Sequence, residues 1–139
     1  MSFKFFVLLF FVVGIAVNLV GCGTVATPPV AVENSAEATS KIVLERAQLR
    51  WNSLLKADMA AAYQFISPGG RLLMTAEQYR PRVNATFWRG ARAEKAVCAA
   101  ETCDVSVLVD IFVEGVKTTV PVKETWILDA GKWWFVYQG

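Results

Sequence analysis

From Ser40 to Gly139 the chain predicts an α+β domain, with helices first and an antiparallel meander after. Three observations carry this. Apolar residues recur at helical spacing as far as Ile66. From Ala91 onward they alternate, in runs broken by the turn sequences Glu114-Gly115 and Asp129-Ala130-Gly131. The registers imposed by the turns also agree, collecting one set of valines on one face. Two to three N-terminal helices packed on a four-stranded antiparallel meander is the architecture that follows.

The first 21 residues belong to a different element. Lys4 gives a short positive segment, Phe5 to Val20 an apolar run, and Leu19-Val20-Gly21-Cys22 closes it with a small residue before a cysteine. That pattern is similar to a bacterial lipobox. The resemblance implies a signal peptide over 1–21, removed to leave Cys22 as a lipidated, palmitate-bearing N-terminus. Gly23 in place of Asp then implies sorting to the outer membrane, facing the periplasm. An uncleaved anchor is the alternative, although the run falls short of the roughly 20 residues that span a bilayer. A plain secretory signal with a coincidental cysteine is another.

Residues 22–39, with Pro28-Pro29 and small residues, are expected to form a flexible linker. Thr39 or Ser40 then caps a helix with Leu44, Ala47, Trp51, Leu54 and Leu55 on its apolar stripe. Asp58 is an N-cap for a second helix carrying Met59, Ala62, Tyr63 and Ile66, which Ser67-Pro68-Gly69-Gly70 should end. Thr75-Ala76-Glu77-Gln78 forms a capping box for a short third helix, and Pro81 stops it.

The strands are expected at Ala91 to Ala99, Cys103 to Val113, Lys117 to Leu128 and Lys132 to Gln138. A two-residue turn at 114–115 sets Val113 opposite Val116, Val109 opposite Val120 and Val107 opposite Val122. The inner face then holds Val105, Val107, Val109, Ile111, Val120, Val122 and Trp126. If residues 129–131 form a three-residue loop, Trp134 and Val136 face inward and Trp133, Phe135 and Tyr137 outward. Such an outward aromatic row suggests docking, a dimer interface, or cover by another element.

The domain from Arg50-Trp51 through Asp58 and Tyr63, Tyr79, Glu124-Thr125-Trp126 and Gly131-Lys132-Trp133-Trp134 resembles the NTF2-like, or cystatin-like, superfamily. It is also similar to small envelope lipoproteins that carry such a domain. The resemblance implies a cone-like sheet curved around a helix, often with an apolar pocket, and marks a fold more than an activity.

Cysteine and histidine usage narrows the chemistry. There is no histidine, so the commonest general base and metal ligand is missing. Cys98 and Cys103 are an even pair in an exported domain and read as a hairpin disulfide. Their spacing does not suit a C-x-x-C redox motif, and no further ligand argues for metal. No metal and no cofactor are expected. Past Cys22 the chain has about 118 residues, one domain's worth, with nearly balanced charge and no basic run. That gives no electrostatic case for nucleic acid.

Glu124 is the local conflict. Parity puts its carboxylate on the apolar face, opposite Val105. It needs a partner such as Arg50, Arg71 or Arg82, or else it serves as an acid/base in a pocket with Tyr63, Trp126 and Arg71. Asp110, on the polar face beside Ala91, reads as a solvated strand residue. Arg71, Arg80, Arg82, Arg89 and Arg92 form either an anionic-partner patch or a solvated loop offset by Asp104 and Asp110.

Three functions remain open. One is a non-enzymatic, membrane-anchored envelope lipoprotein, tethered through Cys22, that binds a partner protein or a small apolar ligand. Another is an isomerase or hydrolase using Glu124 and Tyr63. The last is a structural subunit of an envelope assembly, with a homodimer among its forms.

Overall fold

In a computed structural model of the chain, residues 30–139 are described, with side chains from Ser35 onward. The lipobox, Cys22 and the first part of the expected linker lie outside the described residues. Helix α1 spans Val30–Leu55, followed by α2 (Met59–Tyr63), α3 (Pro68–Leu73), α4 (Ala76–Tyr79) and a 3₁₀ turn at Arg80–Arg82. Strands β1 (Trp88–Ala99), β2 (Thr102–Val113), β3 (Val116–Asp129) and β4 (Lys132–Val136) form one antiparallel sheet in that order. The domain is α+β, as the periodicity predicts. None of its described helices is long and apolar enough to cross a membrane.

Helix α1 begins about ten residues before the cap expected at Thr39 or Ser40. From Val30 to Thr39 the chain has no Gly or Pro and three Ala, so nothing local stops the helix from extending. Val43, Ala47, Trp51 and Leu54 are its buried stripe.

Between α1 and the sheet, the chain is cut into single turns by its caps. Asp58 accepts from the Ala61 amide and opens α2 as expected. Ser67-Pro68-Gly69-Gly70 does not simply end a helix. Ser67 accepts from the Gly70 amide and starts α3, with Pro68 inside the first turn, where its missing N–H costs nothing. A Cβ on Gly70 would lie 2.8 Å from the Ile66 side chain, so this approach needs glycine. The capping box at Thr75 and Gln78 is present in both directions.

The β2–β3 register is the expected one, with Val113 opposite Val116, Val109 opposite Val120, Val107 opposite Val122 and Val105 opposite Glu124. Glu114 and Gly115 both have positive φ (51° and 82°), the conformation of a type I′ turn. Two expectations about neighbouring strands are corrected. Between Ala93 and Lys95 the β1–β2 ladder slips by one residue, so Asp110 lies beside Gly90 and Ala91 beside Val109. The β3–β4 turn has two residues, not three: Ala130 and Gly131 take φ of 49° and 74°, and Asp129 pairs with Lys132. Parity on β4 therefore reverses. Trp133 and Phe135 are buried inward, with Phe135 opposite Trp126, while Trp134 is partly exposed.

Cys98 and Cys103 are bonded across the first hairpin, with Cα atoms 4.0 Å apart. That is somewhat closer than the usual about 4.4–6.8 Å. Closing so short a loop contributes roughly 2 kcal/mol in the chain-entropy account.

Both sheet edges are partly covered by the helical layer. On β1, the Gln48 side chain donates to the Ala91 carbonyl (3.0 Å) and accepts from the Ala93 amide (2.9 Å). On β4, Arg46 Nε donates to the Trp133 carbonyl (2.8 Å). There Phe65–Ser67 adds a parallel bridge: the Phe135 amide donates to the Phe65 carbonyl, and the Ser67 amide to the Phe135 carbonyl. Helix α1 thus bonds to both edge strands, which masks part of each edge against strand addition.

Candidate functional site

Glu124 projects inward from β3, as the register requires, and is 4% exposed. Arg50, 5% exposed, reaches it from α1 and donates from Nη1 to Oε1 at 2.5 Å. Trp51 Nε1 donates to the same oxygen at 2.7 Å, and Trp126 Nε1 donates to Oε2 at 3.0 Å. The paired Arg is therefore Arg50, not Arg71 or Arg82. Adjacent Arg50 and Trp51 meet one carboxylate because both stay near the inner face of α1. Three of roughly four acceptor positions on the carboxylate are occupied.

Arg50 is held on its other sides too. Its guanidinium carbon sits 3.7 Å from the Phe135 ring centroid, a cation–π contact. Its Nη2 lies 3.5 Å from the Tyr79 hydroxyl, a long contact. Burial pushes the Tyr79 phenol above its ordinary range, against the opposing pull of Arg50. Nε of Arg50 is buried without a hydrogen-bond partner among the described residues.

The ion pair lines a cleft of about 370 Å³. Trp51 and Leu54 come from α1, Trp88 from β1, Val122 and Glu124 from β3, and Phe135 and Tyr137 from the chain's end. Val83, between the exposed Arg82 and Asn84, also lines it, as do exposed Lys123 and Gln138, so the cleft reaches the surface. Neither Arg82 nor Lys123 has an ion-pair partner among the described residues. The site thus has an aromatic wall, a neutralised pair at its floor and Arg82 at its rim, while Lys123, next to inward Glu124, carries its side chain to the other face of the sheet.

Of the residues expected around this pocket, the structure gathers only some. Trp126 is fully buried and orients Glu124. Tyr63 donates its hydroxyl to the Met74 carbonyl at 2.7 Å and does not line the cleft. Arg71 is also elsewhere, bonded to Gln64 Oε1 with its guanidinium over Trp134. Tyr79, Trp88 and Asn84 were not expected at the site. The positions of Trp88 and Asn84 depend on the irregular stretch after Pro81, which no periodicity predicts, whereas Tyr79 is set by α4.

The arginine-rich stretch does not form one patch. Arg92 pairs with Glu94, Arg89 bonds to backbone carbonyls beside Phe112, and Arg82 lines the cleft. Asp110 pairs with Lys117 and Thr119 instead of an arginine. Among the described residues no group of three His, Cys, Asp or Glu is placed to hold a metal.

The chain is similar in fold to the solution structure of a SEC-C motif containing protein from Rhodopseudomonas palustris. The TM-score is 0.54 at 15% identity, over 76% of this chain and 82% of that one. At that identity the likeness concerns the fold alone. No family model and no curated protein matches the chain.

Proposed function

We propose that the chain is a membrane-anchored envelope lipoprotein whose NTF2-like domain binds a small, mainly apolar ligand with an anionic end, without turning it over. The observation that carries this reading is the committed state of Glu124. A general base needs a lone pair and freedom to take a proton at the substrate. Glu124 is fixed by three donors, one of them a buried arginine, which favours a structural role in the cleft floor. The aromatic wall suits an apolar body, and Arg82 at the rim suits an anionic end. Helix α1 bonding to both sheet edges supports the NTF2-like cone.

Binding is tested by titrating aromatic and fatty carboxylates against the full chain and following tryptophan emission, since Trp51 and Trp88 line the cleft. Saturable change is expected, weakened about tenfold when Val83→Trp fills the cleft (about 1.4 kcal/mol). Saturation that survives Val83→Trp unchanged would place the ligand elsewhere. The anchor has its own test: Cys22→Ser should accumulate as unprocessed precursor without acyl label. Normal processing and labelling of that variant refutes the lipoprotein assignment.

The isomerase or hydrolase alternative draws on one observation: the remaining acceptor position on Glu124 Oε2, in a cleft that reaches the surface. It requires Glu124→Gln to abolish turnover while sparing stability.

A further inference from the structure

Cations that the cleft does not use converge on one indole. Trp134 is partly exposed on edge strand β4. The guanidinium carbons of Arg46 and Arg71 lie 5.9 and 5.1 Å from its ring centroid, and the Lys132 ammonium 4.4 Å. The three come from α1, α3 and β4, so the fold assembles them from distant segments. Cation–π attraction holds each on the ring. None has a carboxylate at ion-pair distance among the described residues. Three like charges thus gather around one ring without a direct ion pair, with Asp129 across the ladder from Lys132 as their acidic neighbour.

Directly after Arg71 come Leu72 and Leu73, each 88% exposed, more than any other large apolar residue described. Helix α3 buries none of its residues, so these leucines do not belong to the core. Two exposed leucines that follow Arg71 in α3, together with three cations and an indole, combine the chemistries of a membrane–water boundary. Leucine enters the acyl region, tryptophan favours the headgroup level, and Lys and Arg meet anionic phosphates.

We propose that this face of α3 and β4 seats on an anionic lipid surface. Leu72 and Leu73 enter the acyl boundary, and Arg46, Arg71 and Lys132 meet lipid phosphates. The proposal rests on the anchored reading in one respect: the apolar run and Cys22 bring the domain beside a bilayer. An acidic protein segment would satisfy the cations, but it gives two exposed leucines no matching apolar phase. That contrast favours lipid.

The test reconstitutes the full chain into phosphatidylcholine vesicles containing acyl-brominated lipid, with and without phosphatidylglycerol. The share of emission owed to Trp134 is the difference between the chain and its Trp134→Phe variant. Phosphatidylglycerol should raise quenching of that share at least about threefold. Leu72→Asp with Leu73→Asp, and separately Lys132→Glu, should return it to the phosphatidylcholine level. The thermal midpoint should not move, because these side chains are exposed. Equal quenching with and without phosphatidylglycerol overturns the proposal, as does full quenching in the double leucine variant. Binding of a poly-glutamate peptide without vesicle quenching assigns the face to an acidic protein instead and also overturns it. Palmitate label on Cys22 is read separately, so an unlabelled chain still quenched in anionic vesicles refutes the anchor and leaves this face standing.

Discussion

Replacing Glu124 by Gln removes one charge from a pair almost closed to water: Glu124 and Arg50 are 4% and 5% exposed. The amide keeps the shape and one carbonyl oxygen. It cannot satisfy the Arg50 and Trp51 donors on one side and the Trp126 donor on the other. One N–H then faces another, and Arg50 stays buried without a counter-charge. Breaking a buried pair from one side costs about 3–5 kcal/mol, and the retained oxygen puts Gln near the lower end. For a domain of this size about 3 kcal/mol lowers Tm by roughly 12 °C or more. Urea unfolding, followed by tryptophan emission with the disulfide intact, should show a lower midpoint at unchanged slope. Arg50→Met with Glu124→Leu should recover only part of the loss, because neither charge then needs desolvating but the buried Trp51 and Trp126 indole N–H groups lose their acceptor. A Glu124→Gln chain within about 0.5 kcal/mol of its parent refutes the structural role. A double variant as unstable as the two single changes added together would show that packing, not charge, sets the cost.

The hairpin turns and the titrating groups give further expectations. Glu114 and Ala130 hold φ of 51° and 49°, which asparagine tolerates better than either, and glycine already follows both. Glu114→Asn and Ala130→Asn should each raise stability by about 0.5–1 kcal/mol in denaturant melts, and no gain at either site contradicts the turn assignment. The Thr119 hydroxyl, bonded at 2.6 Å, and then Lys117 hold the Asp110 carboxyl below its ordinary 3.8. Its contribution is present above about pH 3.8 and lost as pH falls through the lowered value, so Asp110→Asn should give a shallower acid limb. Tyr79 has the opposite sign. Burial raises its phenol above 10.0, so its contribution is intact below about pH 10 and lost as pH rises through the raised value. Tyr79→Phe should flatten the alkaline limb, and an unchanged limb assigns that loss to other groups.

The β2–β3 hairpin could be read from the sequence because one two-residue turn and one set of alternating valines determine the same register. Glu124 could be placed for the same reason, and its need for an arginine followed from burial alone. Which arginine could not be derived. Arg50, Arg71 and Arg82 are all near in sequence terms, and only the path of the single-turn helices α2 to α4 separates them. The reversed faces of β4 have a more local cause. Asp129-Ala130-Gly131 contains residues for either a two- or a three-residue loop, and one residue more in the turn exchanges every side chain on the strand. The bulge at Ala93 leaves no mark in an alanine-rich strand, since neither register buries anything large. Tyr63 misled for another reason: its hydroxyl bonds to the Met74 carbonyl, a backbone partner that sequence spacing does not reveal.

Gln48 has a role that its half-buried position on α1 conceals. At Ala91 and Ala93 its amide stands in for a neighbouring strand, one oxygen accepting and one N–H donating, next to the bulge in β1. The second amide N–H contact, to Asn52 Oδ1 at 2.9 Å, holds the group at that angle. Gln48→Ala would leave an unpaired carbonyl and an unpaired amide on an edge strand. Water reaches this rim in part, so the direct loss should be about 1–2 kcal/mol. The larger consequence concerns association. An opened edge is a template for a second chain, and β1 is twelve residues long. In detergent, Gln48→Ala should sediment with more dimer than the parent at equal concentration, and dilution should reverse it. Gln48→Glu should fall between, because a carboxylate still accepts from Ala93 but cannot donate to Ala91. If Gln48→Ala keeps both its stability and its sedimentation behaviour, the bulge at Ala93 protects the edge without help from α1.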